Sequence, residues 1–209
     1  EAKKCGVRHF IFYSTVAVYG LHGYLADHKK LINEQSICNP ASAYAKSKYD
    51  AEKALLKLED EQFIVSIIRP PLVYGKDAPG NMLKLKKLVQ LFPILPFNYE
   101  NNKRSMVYID NLTYFTKTVI DKRVRGIFIP QDEDRYSIKE IVKTIAECSG
   151  KKLFLIKFPI GMLWVLAKIK PQMIASLYGT LLFDSTASNE KTGYYAKITT
   201  KDGLNLMSK

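Results

Sequence analysis

The chain has 209 residues, of which 47% are hydrophobic and 25% charged, with a formal net charge of +12. That composition supports one large domain or two small ones around a real core, and it excludes intrinsic disorder, collagen and coiled coil. Its three cysteines, Cys5, Cys38 and Cys148, show no CxxC spacing and have no histidine nearby at ligand spacing. That pattern argues against a disulfide framework and a zinc site, and a reducing, cytoplasmic compartment is expected. The histidines His9, His22 and His28 read as surface or loop residues. Neither a secretory signal nor a membrane span is expected: the first apolar run leads straight into a strand pattern, and 158–169 is too short to cross a bilayer. That later stretch reads as a buried or surface-docked helix, with Trp164, Leu163, Leu166 and Ile169 on its packed face. The lysines are spread along the chain and no nucleic-acid motif appears, so the charge reads as a solvated surface.

In chain order, the first residues, Glu1–Gly6, resemble the last turn of a helix stopped by Gly6. Phe10–Ser14 reads as a strand and Tyr19–Asn39 as a loop. Ala41–Asp60 is predicted helical, with Ala51, Leu55 and Leu58 on one face. Phe63–Ile68 is a buried strand ended by Arg69-Pro70-Pro71. The Leu/Lys alternation over Asn81–Leu91 predicts an amphipathic helix, and Phe92–Phe97, with two prolines, a connection. Met106–Ile109 is a strand, followed by a helix over Leu112–Asp121 with Asp110 as its N-cap. Ile127–Ile129 is a further strand. Ser137 and Glu140 form a capping box that opens a helix over Ile138–Ser149. Leu153–Phe158 is the last strand expected before a hydrophobic helical region. Strand–helix alternation of this kind predicts an α/β fold with a mainly parallel sheet.

Two segments carry chemistry. YSTVAVYG (13–20) stands at the carboxyl end of the first strand, the edge where open α/β sheets bind ligands. In PASAYAKSK (40–48), Tyr44 and Lys48 are four residues apart and share one helical face. A lysine ammonium close to a phenol favours the phenolate, and a tyrosine so tuned serves as a general acid/base near neutral pH. A hydroxyl from Ser14 or Thr15 would hold the substrate oxygen beside it. Spacing alone leaves open the plainer reading, a surface tyrosine beside a surface lysine.

These two blocks, followed in order by IIRPPLVYG (67–75), NKRSMVYIDNL (102–112), SIKEIVKTIAE (137–147) and FDSTASNEKTGY (183–194), resemble the extended short-chain dehydrogenase/reductase family. The resembling branch is that of NAD-dependent sugar-nucleotide epimerases and dehydratases. The resemblance implies the C-terminal part of a Rossmann-like doubly wound parallel sheet plus a smaller α/β substrate lobe. Residues 1–78 would be the catalytic half of the NAD-binding domain, and 79–209 mainly the lobe, with 105–130 returning to the core sheet. It further implies that Tyr44 is the acid/base at the sugar 4-hydroxyl, that Lys48 binds the nicotinamide ribose, and that Thr15 holds the substrate oxygen with Ser14 in support. Pro70 and Pro71 would pass the nicotinamide, Asn81 would contact the nucleotide end, and Arg104 would pair with the substrate pyrophosphate through its fork. NAD is the expected cofactor, NADP the variant left open, and a nucleotide sugar the expected substrate. A homodimer through the Tyr44 and Asn81 helices is a further expectation, as is a role in surface-polysaccharide synthesis.

The chain also departs from the family. Val16 and Ala17 stand where dehydratases carry an Asp-Glu pair, so elimination chemistry is not expected. Leu72 replaces a common Asn, Ala187 a common Lys, and no second arginine for the pyrophosphate is evident in the last third. The dinucleotide fingerprint GxxGxxG does not occur; Gly20 and Gly23 form only a GxxG and read as a turn. About 90 residues of strand–helix units are expected to precede this chain in the family fold. The favoured activity is therefore redox at C4 of a UDP-sugar, as 4-epimerase or 4-keto reductase. The alternative is a catalytically silent fragment or non-enzymatic binding module.

Overall fold

The computed structural model describes residues 1–20, 31–76, 78, 80–157 and 159–208, the side chains of 160, 162–164, 171–173 and 176 apart. The predicted turn at Leu21-His22-Gly23, together with His28, Phe158 and the side chains of Leu163 and Trp164, lies outside that description.

Three parallel strands form the central sheet: β1 (His9–Tyr13), β3 (Ile64–Ile68) and β7 (Gly126–Phe128), in the order β1-β3-β7. Their register sets Tyr13 opposite Ile68 and Ile68 opposite Phe128, so all three strands end level on one edge. Between them run β2 (Leu31–Ile32), α1 (Ala43–Leu56), β4 (Leu72–Tyr74), α2 (Asn81–Leu91), β5 (Ile94–Leu95), β6 (Met106–Tyr108) and α3 (Ile109–Lys122). After β7 come α4 (Ile138–Cys148), β8 (Phe154–Leu155), α5 (Ile160–Ile169), α6 (Pro171–Tyr178), β9 (Leu182–Phe183), α7 (Thr186–Thr192) and α8 (Thr200–Ser208). The short strands pair two by two, β2 with β9, β4 with β6 and β5 with β8, all parallel. The strand at 106–108 thus pairs with β4, and β7 alone of this stretch joins the three-stranded sheet.

Local chemistry explains most element ends. Ser42 caps α1, its hydroxyl accepting from the Ala45 amide at 3.1 Å. The helix closes at Leu56, short of the expected Asp60, and Leu58 is exposed beyond it. Ser137 and Glu140 make the predicted capping box, with the Ser137 amide donating to Glu140 Oε2 at 2.6 Å. Burial pushes the Glu140 carboxyl up, but Lys103 and the Ser137 bonds outweigh it and hold the group below its ordinary value.

Five expectations are corrected. Asp110 does not cap α3: the helix starts at Ile109, directly off β6, and Asp110 lies in its first turn. The start is fixed instead by Asp132, whose carboxylate accepts from the Tyr108 amide at 3.1 Å. Residues 19–39 are not all loop, since Tyr19 ends a 3₁₀ turn and Leu31–Ile32 form β2. The 92–97 connection contains β5, while the strand expected over 153–158 is reduced to Phe154–Leu155. His9 is no loop residue: it sits in β1, its Nε2 2.7 Å from Ser66 Oγ.

Among the described residues four apolar clusters result, two of which bear on the site. One lies on the sheet, built from Ile68, Val107, Leu112, Phe115, Val119 and Phe128. The larger belongs to the lobe, where Met82, Leu85 and Val89 of α2 meet Ile141, Val142 and Ile145 of α4 and Leu204 of α8. Asp132 ties the two together. It accepts from Tyr74 Oη at 2.7 Å and from Asn111 Nδ2 at 2.8 Å, while Asn111 Oδ1 accepts from the Ile198 amide at 3.1 Å. Burial pushes the Asp132 carboxyl above its ordinary range.

Candidate active site

The level end of the sheet sets the stage. Past β1, the Ser14 amide donates to Ile68 O at 2.7 Å and the Val16 amide to Pro70 O at 3.3 Å. The YST segment therefore stays laddered against the end of β3 and the Arg69-Pro70-Pro71 corner. Thr15, in extended backbone, caps the 3₁₀ turn Val16–Tyr19, and its Oγ1 accepts from the Ala17 amide at 3.2 Å. That bond leaves the Thr15 hydroxyl proton free to donate. Ser14 Oγ is buried and has no hydrogen-bond partner among the described residues. Gly20 closes the turn with φ of 77°, and a Cβ there would stand 2.0 Å from Asn39 O, so only glycine fits.

Helix α1 is pinned to this edge by Lys48, whose Nζ donates to Tyr13 O at 2.8 Å and lies 4.8 Å from the centre of the Phe12 ring. One bond occupies one of three ammonium donors. Tyr44, one helical turn earlier, is 58% exposed and makes no side-chain hydrogen bond among the described residues. The structure thus brings Ser14, Thr15, Tyr44 and Lys48 to one sheet edge, with buried Pro71 at the neighbouring corner.

Arg104 and Asn81 belong to the lobe. Arg104 Nη2 donates to Ala175 O of α6 at 2.6 Å, and its amide donates to Tyr136 O at 3.0 Å. Among the described residues its Nε is buried without a hydrogen-bond partner, and no carboxylate pairs with the guanidinium. Burial alone pulls its pKa down to about 10. Asn81 opens α2 behind Gly80 and is exposed. No hydrogen bond among the described residues joins either of them to Tyr44 or Lys48.

Sequence reasoning missed the group beneath Tyr44 and Lys48. Arg69 meets Glu52 through two bonds, Nε to Oε1 at 3.0 Å and Nη2 to Oε2 at 2.6 Å, both side chains being buried. Arg69 Nη1 also donates to Tyr19 Oη at 2.6 Å. Burial works against the Arg69 charge, but the Glu52 carboxylate outweighs it and holds the pKa above the ordinary value. Burial also pushes the Tyr19 phenol up to about 12. The signal was present: Glu52 continues the stripe of Tyr44 and Lys48 by four residues, and Arg69 ends the neighbouring strand.

A separate cleft of about 230 Å³ opens beyond β7 and β9, lined by Gln131, Asp132, Glu133, Arg135, Asp184 and Asn189 among others. Thr15, Tyr44 and Lys48 are not among its walls.

Comparison with known proteins completes the description. Residues 1–128 match the model of a family described as the NAD dependent epimerase/dehydratase family. A UDP-glucose 4-epimerase from Vibrio cholerae is 32% identical over 210 residues, covering 98% of this chain and 63% of that protein. The N-acetyl-alpha-D-glucosaminyl-diphospho-ditrans,octacis-undecaprenol 4-epimerase of Escherichia coli O157:H7 is 28% identical over 221 residues, covering 97% of this chain and 65% of that protein. The structure of a UDP-glucuronic acid 4-epimerase from Bacillus cereus in complex with NAD aligns with a TM-score of 0.73 at 16% identity, over 99% of this chain and 62% of that one. The chain therefore spans just under two thirds of the length of the curated relatives it matches, 63% and 65%.

Proposed function

Because the chain belongs to the NAD dependent epimerase/dehydratase family, we propose that its Tyr44 edge carries acid/base chemistry for redox at C4 of a UDP-sugar. The observation that supports this reading is the Lys48 bond to Tyr13 O at 2.8 Å, which holds α1, the helix that carries Tyr44, to the end of β1 just before Ser14 and Thr15. Tyr44 Oη takes the proton of the sugar 4-hydroxyl and returns it. Thr15, with its oxygen already engaged by the Ala17 amide, donates to the same sugar oxygen and orients it. Lys48 keeps two donors for ribose hydroxyls. Val16 and Ala17 offer no proton-transferring group, which disfavours elimination of water.

The residues present fit the nicotinamide end of NAD: the unpartnered Ser14 Oγ, the spare donors of Lys48 and the buried wall of Pro71. NAD, when bound, supplies the redox capacity at C4. No GxxGxxG occurs in these 209 residues to cradle its pyrophosphate. In the lobe, Arg104 pairs with the diphosphate of the substrate, a group shared by the UDP-sugar and undecaprenyl-linked substrates named for the two relatives. A role in surface-polysaccharide synthesis follows from that reading, as does a cytoplasmic site of action. A homodimer through α1 and α2 remains part of the proposal.

The test is interconversion of UDP-glucose and UDP-galactose by the chain supplied with NAD, alongside a calorimetric titration of NAD. Tyr44→Phe is expected to lower turnover by about 10²–10⁴-fold with stability unchanged. Turnover that survives this substitution would overturn the assignment. Net consumption of NADH with a 4-keto sugar would identify the reductase. A second reading, a binding module without turnover, is favoured by the lack of GxxGxxG; absence of NAD binding would select it.

A further inference from the structure

The lobe presents a surface that the chemistry at Tyr44 does not use. In β5 and β8, Ile94 and Phe154 are register partners, and both turn away from the core that holds Leu95. They are 54% and 66% exposed, and Ile156, two residues on from Phe154, is 53% exposed. Leu91 and Phe92, at the end of α2 and running into β5, are also exposed. Ile94 and Phe154 stand side by side on the strand pair, Ile156 follows two residues on, and Leu91 and Phe92 lead into it, more exposed apolar side chain than single surface hydrophobics require. Directly after β8 the chain enters α5, where Val165 and Ile169 share an outer face and are exposed too.

The charge around this patch is of one sign. Residues 78–99 and 148–183 contain eight lysines, at 84, 86, 87, 151, 152, 157, 168 and 170, and no aspartate or glutamate. The acids that bound these segments are Asp77, Glu100, Glu147 and Asp184, and Glu100 is engaged by Lys139. Lys84 and Lys87 lie on the Leu88–Leu91 side of α2, Lys151 and Lys152 precede β8, and Lys157 follows it; all five are exposed. Two thirds of the net charge of +12 is thus gathered on two segments that also carry the exposed apolar side chains.

We propose that the β5–β8 face of the lobe docks on the surface of an anionic lipid bilayer. Apolar side chains ringed by lysines match the interface of such a bilayer, where the side chains enter the headgroup boundary and each lysine adds attraction to anionic lipid. No helix among the described residues is long and apolar enough to cross a membrane, so the contact is peripheral. A second copy of the chain is a poor occupant, because this face meeting itself would set lysines against lysines with no carboxylate between them. A single-stranded nucleic acid is a poor occupant as well, because aliphatic Leu91, Ile94 and Ile156 give bases little to stack on. The proposal stands on the lobe surface alone and is independent of the reading of Tyr44.

Flotation with vesicles tests it, using phosphatidylcholine alone and phosphatidylcholine mixed with phosphatidylglycerol, at low and high salt. The chain is expected to float with the mixed vesicles at low salt and to stay behind with phosphatidylcholine alone. Lys151→Ala/Lys152→Ala should weaken that binding roughly tenfold or more. Phe154→Ser/Ile156→Ser should weaken it by a similar factor while circular dichroism shows an unchanged fold, as expected for exposed positions. Failure to float with the mixed vesicles at low salt overturns the proposal. So does undiminished binding by the folded serine variant, which would reduce the contact to bulk charge adsorption. A dimer by light scattering that the serine pair dissolves, without vesicle binding by the parent chain, would assign the face to self-association instead.

Discussion

Arg69 and Arg104 are both largely shielded from water, yet they keep different company. Arg69 stands at the end of β3, held by both oxygens of Glu52 and by the hydroxyl of Tyr19. Arg104 stands in the lobe with one backbone carbonyl, an unpartnered Nε and a pKa pulled down to about 10 by burial. The first is complete within the protein and acts as a strut between α1 and the sheet. The second carries charge that the protein itself does not neutralise, which is what a site for an external anion requires. Among the described residues, then, one cation is matched by a carboxylate and the other is not.

The sharpest break of this contrast is Glu52→Ala. Removing one member of a buried pair leaves the other uncompensated, and the expected loss is about 3–5 kcal/mol, measured by urea unfolding. A loss below about 1 kcal/mol would put the pair in the class of surface ion pairs and end its role as a strut. Arg104→Gln is expected to change unfolding stability by less than about 1 kcal/mol while weakening UDP binding tenfold or more in calorimetry. Equal stability losses from the two substitutions would erase the distinction between them.

The smallest effect concerns the opposite end of the sheet, at His9. Ser66 Oγ donates to Val124 O and accepts from His9 Nε2, an arrangement satisfied by the neutral ring. Burial, and then the charge of Arg123, lower the His9 pKa below its ordinary 6.5. The unfolded chain therefore takes up the proton first. The contribution of neutral His9 to stability is complete above about pH 6.5 and is lost as the pH falls below it. The urea midpoint of the parent chain should drop more steeply below that pH than the midpoint of His9→Gln. Parallel pH profiles would show that the ring does not titrate in this way.

The legible parts of this molecule were those written in neighbouring residues. The capping box at Ser137 and Glu140, the full extent of α2 and the pairing of Tyr44 with Lys48 on one face depend on spacings of three or four residues. Ser14 and Thr15 are legible at a strand end because the β-rich apolar run from Phe10 stops there. What escaped depends on distant partners. Asp110 has the chemistry of an N-cap, but Asp132, in a later loop, already holds the Tyr108 amide and starts the helix one residue before Asp110. β5 and β8 are two residues each, too short to announce a period, and exist because 94 meets 154. Glu52 reads as one more charged position on a helix until Arg69 is brought across from β3. The family blocks pointed to the Tyr44 edge as the candidate site, whereas the Arg69–Glu52 pair became visible only with the fold.

The pairing of β2 with β9 has a consequence in time. Leu31 and Ile32 lie against Leu182 and Phe183, and Glu34 receives the hydroxyl of Ser188, 154 residues further along. At a synthesis rate of about 5–20 residues per second, the first strand of this pair leaves the ribosome on the order of ten seconds or more before its partner exists. Until then its backbone has no ladder to join and Ile32 no Phe183 to cover it. The region around the YSTVAVYG turn is therefore among the last of these residues to reach its final packing, although it is made well before β9. A nascent chain halted before residue 182 should leave that segment open to protease while α1 and β3 are already protected.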